Sequence, residues 1–223
     1  MKKFELTGEQ KHCCGITLFR IKALKSFSDV VVGQTGGWVE KEENLSQDGD
    51  AWVSGNAVVK GDAWVSGNAV VKDEAVVSGS AYISGNAVVK GDAVVKGDAW
   101  ISGNAVVSGR AYISGDAFVK DEAVVSGRAV VKGDAWIIGN AVVSYNTDYA
   151  LISGFGTEFR TTTFFRCDDD NIRVSCGCFF GTIPQFIEQV KNTRSGKIAE
   201  EYLAIAELME KHFEKGDSDD TSI

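Results

Sequence analysis

The sequence predicts a mainly-β solenoid built from short repeats, and three observations carry that expectation. Alanine recurs every six residues from Ala51 to Ala141 without a slip, which makes sixteen hexads and 96 residues with no insertion. Within each hexad an alanine, an outward residue and a Val or Ile form a short extended piece, as in AWVSGN, AVVKGD and AYISGN. A Gly-Asn or Gly-Asp pair usually follows, and such residues tolerate the positive φ that tight corners require. A sheet that turns every six residues needs a small residue near each corner and a branched one at mid-face. Ala51, Val53, Ala57, Val59 and their successors are therefore expected to point inward.

This pattern resembles the hexapeptide-repeat family, in which an aliphatic residue, variable positions often including Gly and Asn or Asp, and a small residue recur. The resemblance covers about 43% of the 223 residues. It implies a left-handed parallel β-helix of triangular section, with three hexads per coil. Eighteen residues per coil gives just over five coils, a prism about 25 Å long at a strand spacing of about 4.8 Å. Val39 and Leu45 fall in phase with the alanine column, which predicts a degenerate coil before Ala51. The segment GQTGGWVEKEENLSQDGDAWV (33–53) is similar to the entry segment of YdcK-like hexapeptide proteins, a bacterial and phage-associated group. Those proteins are mostly labelled transferases, a label inherited from the fold that implies little about chemistry. Their phage association implies a mobile-element accessory protein that captures a host molecule.

The flanks predict caps, which a solenoid needs because its end coils expose core and strand edges. Four parts are expected: an N-terminal β cap over 1–36, the β-helix over 37–155 with regular hexads at 51–146, a C-terminal hairpin with helices over 156–215, and a disordered tail over 216–223. KFELT (3–7) and ITLFRIKALKSF (16–27) read as strands of the first cap. RTTTFFRC (160–167) and IRVSCGCFF (172–180) read as a β-hairpin around the acidic turn DDDN (168–171). Thr182 is placed to cap a helix with Pro184 in its first turn. After Ser195 and Gly196 a second helix carries an apolar stripe of Ile198, Tyr202, Ile205, Leu208, Met209 and Phe213. That stripe is expected to pack on the hairpin or on the side of the prism.

Composition narrows the function classes. One proline, 25 glycines and 44% hydrophobic residues exclude both a disordered chain and collagen. No apolar run approaches the roughly 20 residues that span a bilayer, and no apolar h-region follows the opening lysines. Five cysteines without framework spacing point to a reducing, cytoplasmic setting. The net charge is −8 and no segment has a basic excess, which argues against a nucleic-acid backbone as partner.

The outward residues differ from face to face. The first face shows Trp52, Val70, Val88, Val106, Val124 and Val142, and the second Val58, Val76, Val94, Tyr112 and Val130. The third shows Trp64, Tyr82, Trp100, Phe118 and Trp136, an aromatic residue on every coil. Three uses compete for this stripe: a subunit interface or a dock for the chain's own helices, a ladder that only stabilises its sheet, and a platform for stacking sugars or nucleobases.

Enzymatic signatures are sparse. Hexapeptide acyltransferases, as relatives in fold, imply a histidine on the prism as base and often a loop excluded from the coils. Residues 51–146 contain no histidine and no insertion, and the whole chain has only His12 and His212. The related γ-class carbonic anhydrases imply three histidines around zinc, so neither constellation carries over. No metal site is expected. Cys13, Cys14, Cys167, Cys176 and Cys178 read as buried apolar thiols, and Asp168–Asp170 as a solvated turn. Arg160, Arg166 and Arg173 form a weak candidate anion site on the hairpin.

The resulting expectation is a non-enzymatic scaffold or sequestering protein without cofactor, which binds a small molecule or host protein on Trp64, Tyr82, Trp100, Phe118 and Trp136. The first alternative is an acyltransferase that uses coenzyme A with His212 as base. The second is a carbohydrate-binding module. Family analogy implies a homo-oligomer, a trimer in the first instance, and no membrane partner is expected.

Overall fold

The computed structural model describes residues 2–13 and 15–214, so the tail expected over 216–223 lies outside the described residues. The chain divides into two compact units between Asn146 and Thr147.

The first unit begins with β1 (Phe4–Cys13), β2 (Ile16–Ala23) and β3 (Thr35–Val39). The hexads follow as sixteen two-residue strands at six-residue steps, from β4 (Trp52–Val53) to β19 (Val142–Val143). Each pairs in parallel with the strand eighteen residues on, as Val58 does with Val76 and Trp64 with Tyr82. The strands therefore sort into three sheets, one per side of a β-solenoid, stacked six levels deep on the second side. Backbone bonds repeat from coil to coil: Val58 N–H donates to Ala75 O at 2.9 Å and Lys60 N–H to Val77 O at 3.0 Å. The alanine and Val/Ile columns are buried throughout, as the period predicts. Each fully buried valine or isoleucine is worth about 2 kcal/mol relative to exposure.

The corners explain the glycine column. Gly85 has φ +66°, and a Cβ there would meet the Gly103 carbonyl oxygen of the next coil at 2.8 Å. Asp73 and Asp121 adopt the same left-handed conformation with φ 64° and 63°. Their carboxylates accept hydrogen bonds from the N–H groups of Gly91 at 3.0 Å and Gly139 at 3.2 Å, one coil on. A short side chain that bonds locally is the type that tolerates this region.

The first coil departs from the sequence reading. Val39 pairs with Val59, and Leu45 bridges Val65, a spacing of twenty residues rather than eighteen. Both therefore join the Val column, not the alanine column. The extra length lies at Gln47 and Asp48, because Ser46 N–H bonds Val65 O while Gly49 already stacks on Gly67. This bulge is used. Gln47 Oε1 accepts the Lys3 N–H at 2.7 Å, and Gln47 Nε2 donates to Phe4 O at 3.2 Å. The fully buried Lys3 ammonium donates to Ala51 O at 2.9 Å and to Gly49 O at 3.3 Å. Burial lowers the Lys3 pKa to about 8, with the Asp50 carboxylate pulling the other way.

The cap extends one sheet. β2 pairs antiparallel with both β1 and β3, so the hairpin lengthens the second-side sheet to eight strands. Trp38 is covered by Lys11 and Arg20, at 4.5 Å and 4.8 Å from its ring. Trp52, outward by its place in the hexad, is buried because the Phe27 ring meets it edge-on at 5.5 Å.

The second unit is a four-stranded antiparallel meander, β20 (Tyr149–Phe155), β21 (Arg160–Arg166), β22 (Ile172–Cys176) and β23 (Phe179–Thr182), followed by α1 (Ile183–Thr193) and α2 (Gly196–Phe213). The hairpin read from sequence is the middle of this sheet. Tyr149–Phe155, grouped by sequence with the solenoid, pairs with β21 instead. Thr182 caps α1 reciprocally: its hydroxyl accepts Gln185 N–H at 3.3 Å, and Gln185 Oε1 accepts Thr182 N–H at 2.8 Å. Phe164, Val174, Phe186, Tyr202, Ala206 and Met209 share one core, so α2 packs on the meander of its own unit. Leu208, placed in the apolar stripe by sequence, is 57% exposed, and Ala206 takes the buried position. Helical spacing explains this: Ala206 lies four residues after Tyr202 and three before Met209, while Leu208 falls off that line. No helix among the described residues is long and apolar enough to cross a membrane.

Candidate binding surface

The third side of the solenoid holds every candidate ring of the aromatic stripe in one line. Trp64, Tyr82, Trp100, Phe118 and Trp136 pair in register along one five-stranded sheet. Successive ring centroids are 5.1, 5.0, 4.9 and 5.2 Å apart. That spacing follows from strand separation, since each ring rises from the same pleat position one coil further on. The contacts vary from tilted to edge-on to stacked, all within the range of favourable aromatic pairs. The ladder is not closed over: Trp64, Trp100 and Trp136 remain 44%, 41% and 41% exposed.

Polar rims border this face. After the strands, Asn68 donates to Asn86 at 3.1 Å, Asn86 to Asn104 at 2.9 Å, and Asn104 to Glu122 at 2.7 Å. Before the strands runs an exposed column of Asp62, Ser80, Asp98, Asp116 and Asp134. Asp62 pairs with Lys41 at 2.7 Å, and this bond holds its carboxyl below the usual range. Within the face, the Ser66 hydroxyl donates to Tyr82 Oη at 3.2 Å. Lys120 is the one cation among the outward positions that follow the rings, which otherwise carry Ser66, Ser84, Ser102 and Ile138. An apolar strip between amide and carboxylate rims suits a flat, uncharged ligand rich in hydroxyls.

The other candidates are dispersed. Arg166 donates to Phe213 O at 2.9 Å and lies 3.6 Å from Asp148. Arg173 donates to Asp169 at 2.6 Å. Bonds from Asn171 and from this guanidinium hold the Asp169 carboxyl below the usual range. Arg173 pairs with Phe165, so strand alternation turns it to the sheet face opposite Arg166. Arg160 stands apart at the start of β21, and the three arginines do not form one cluster. His212 is exposed on α2, its ring 4.9 Å from that of Phe213. His12 shares a hydrogen bond with Thr17 at 3.0 Å. Cys167 is buried, which raises its thiol pKa to about 11, whereas Cys13 and Cys178 are exposed. Sequence reasoning missed Arg194, the C-cap of α1, which lines the same cavity as Arg160, described below. Only the folded order of helix and hairpin brings those two together.

No family model matches the sequence. A 61-residue stretch is 33% identical to a protein of Escherichia coli (strain K12) named uncharacterized acetyltransferase YdcK. The match takes in 24% of this chain and 19% of that protein, so the chain spans about a fifth of its relative. The short strands stacked at six-residue steps and this short match together fit a hexapeptide-repeat solenoid.

Proposed function

We propose that the protein is a non-enzymatic binding scaffold that holds its ligand along the aromatic ladder, and that the ligand is a neutral carbohydrate chain. The observation that carries this reading is the line of five rings at 4.9–5.2 Å spacing, on one face of a preorganised sheet. The exposed parts of the rings offer apolar contact to the C–H faces of sugars, while the Asn68–Asn104 column and the aspartate column offer partners to hydroxyls. The aspartates repel phosphate and carboxylate ligands, which argues for an uncharged chain over nucleic acid or an acidic glycan. A rigid face loses little freedom on binding, so modest contacts per ring add along the ladder.

The test is calorimetric titration with soluble neutral glucans, set beside an anionic glycan of equal length. Trp100→Ala is expected to weaken glucan binding about tenfold, and to cost about 1–3 kcal/mol of stability through its two lost ring contacts while the coils stay folded. A concentration-dependent oligomer that Trp100→Ala dissociates would instead assign the ladder to self-association, in line with the trimer expected by family analogy. A second reading, acyl transfer, is favoured by the name of the matched protein alone. Coenzyme A binding with acyl transfer that His212→Ala abolishes would put that reading first.

A further inference from the structure

The second unit contains a small cavity of about 100 Å³, away from any aromatic of the ladder in sequence, with Arg160 and Arg194 among its lining. Phe179, Phe186 and Val190 supply apolar wall, and Tyr202 contributes the phenol edge. Two left-handed glycines make room for these groups. A Cβ on Gly177 would meet the Arg160 guanidinium at 2.7 Å, and one on Gly156 would strike the Tyr202 hydroxyl. Tyr202 itself is fixed by donating to Phe155 O at 3.3 Å. Burial and then the neighbouring Cys176 raise the Tyr202 pKa, and Arg194 and Arg160 both oppose that rise.

Among the described residues, neither arginine is paired with a carboxylate: the ion pairs of the second unit use Arg166, Arg173, Lys197 and Lys211. Arg194 donates only locally, to Thr193 O at 3.2 Å. Glu158 also lines the cavity without pairing to either guanidinium. Two unmatched cations beside an apolar wall form a receptor for an anion with an apolar body.

We infer that this cavity binds a small organic carboxylate, its oxygens held by Arg160 and Arg194 and its apolar part against Phe179 and Phe186. The volume fits a compact acid of up to about ten heavy atoms rather than a nucleotide or a coenzyme. This site is independent of the ladder and of any carbohydrate.

Benzoate and butyrate, with inorganic phosphate and benzamide as comparisons, test the inference by calorimetry on the full chain. Saturable binding of a carboxylate is expected, with phosphate weaker because it lacks the apolar body and benzamide weaker because it lacks the charge. Arg160→Gln and Arg194→Gln are each expected to reduce carboxylate affinity about tenfold, since each removes a charge-assisted bond. Both sites are at the surface of the unit, and an unchanged far-ultraviolet spectrum confirms that the variants fold. Glucan binding is expected to be unaffected in both. No carboxylate binding by the native chain, carboxylate binding by both variants as tight as by the native chain, or phosphate binding as tight as benzoate would each overturn the inference.

Discussion

At the scale of single residues, the corners and the first coil show how much one position can decide. Gly85 and Asp121 meet the same demand in different ways: one has no Cβ, the other uses its carboxylate to bond the coil beyond. Gly85→Val is therefore expected to lower stability by about 2 kcal/mol or more, from left-handed strain plus a clash with the Gly103 backbone. Asp121→Gly is expected to change it by less than about 1 kcal/mol, and urea denaturation of both variants checks the contrast. Lys3 makes a pH-dependent contribution. Its folded pKa of about 8 lies below the ordinary 10.5, so the folded state releases its proton first. Between pH 8 and 10.5 the unfolded chain still holds that proton, and stability attributable to Lys3 rises with pH across this window. Below pH 8 both states are protonated and the contribution is constant. Lys3→Met is expected to lack this rise, measured as the difference between the two proteins in denaturant titrations at the two ends of the window. The inward columns were legible because a strict period leaves no choice of face. Lys3 was not, since its burial depends on carbonyls more than forty residues away. The phase of Val39 and Leu45 was misread because counting by sixes cannot see the added Gln47 and Asp48.

At the scale of elements, the C-terminal unit was half legible. Thr182 with Gln185 is a local signal, and the reciprocal cap forms as the sequence suggests. The meander was less visible, because the 3-10 turn Asn146–Asp148 that separates Tyr149–Phe155 from the coils is made of the same Asn and Asp residues that form the hexad corners. The arginines show the same limit. Their grouping required knowing which face each strand turns inward, and alternation sends Arg173 away from Arg166. The stripe of α2 was right except at Leu208, which points to a direct comparison. Leu208→Gln is expected to stay within about 0.5 kcal/mol of the native protein, while Phe186→Ala costs about 3–5 kcal/mol through the cavity it opens between helix and sheet. Helical circular dichroism followed through urea unfolding separates the two.

At the scale of the whole molecule, the near-identical coils make the solenoid quasi-one-dimensional: each coil bonds chiefly to its neighbours, and the side on which a ring appears depends only on its count modulo eighteen. The ladder was legible for that reason, before any coordinate was known. Its occupant was not, because a sheet face states what chemistry it offers and not what meets it. The most direct measurement compares two deletions by glucan titration. Removing residues 93–110 takes out one whole coil and leaves Tyr82 next to Phe118 on the same side. Removing only residues 99–104 takes out the same Trp100 but turns Phe118 and Trp136 onto another side. The first variant is expected to fold and to bind with an affinity reduced by about the share of one ring, and the second to fold and to lose binding. Equal binding by the two would contradict a continuous aromatic face as the place where the ligand sits.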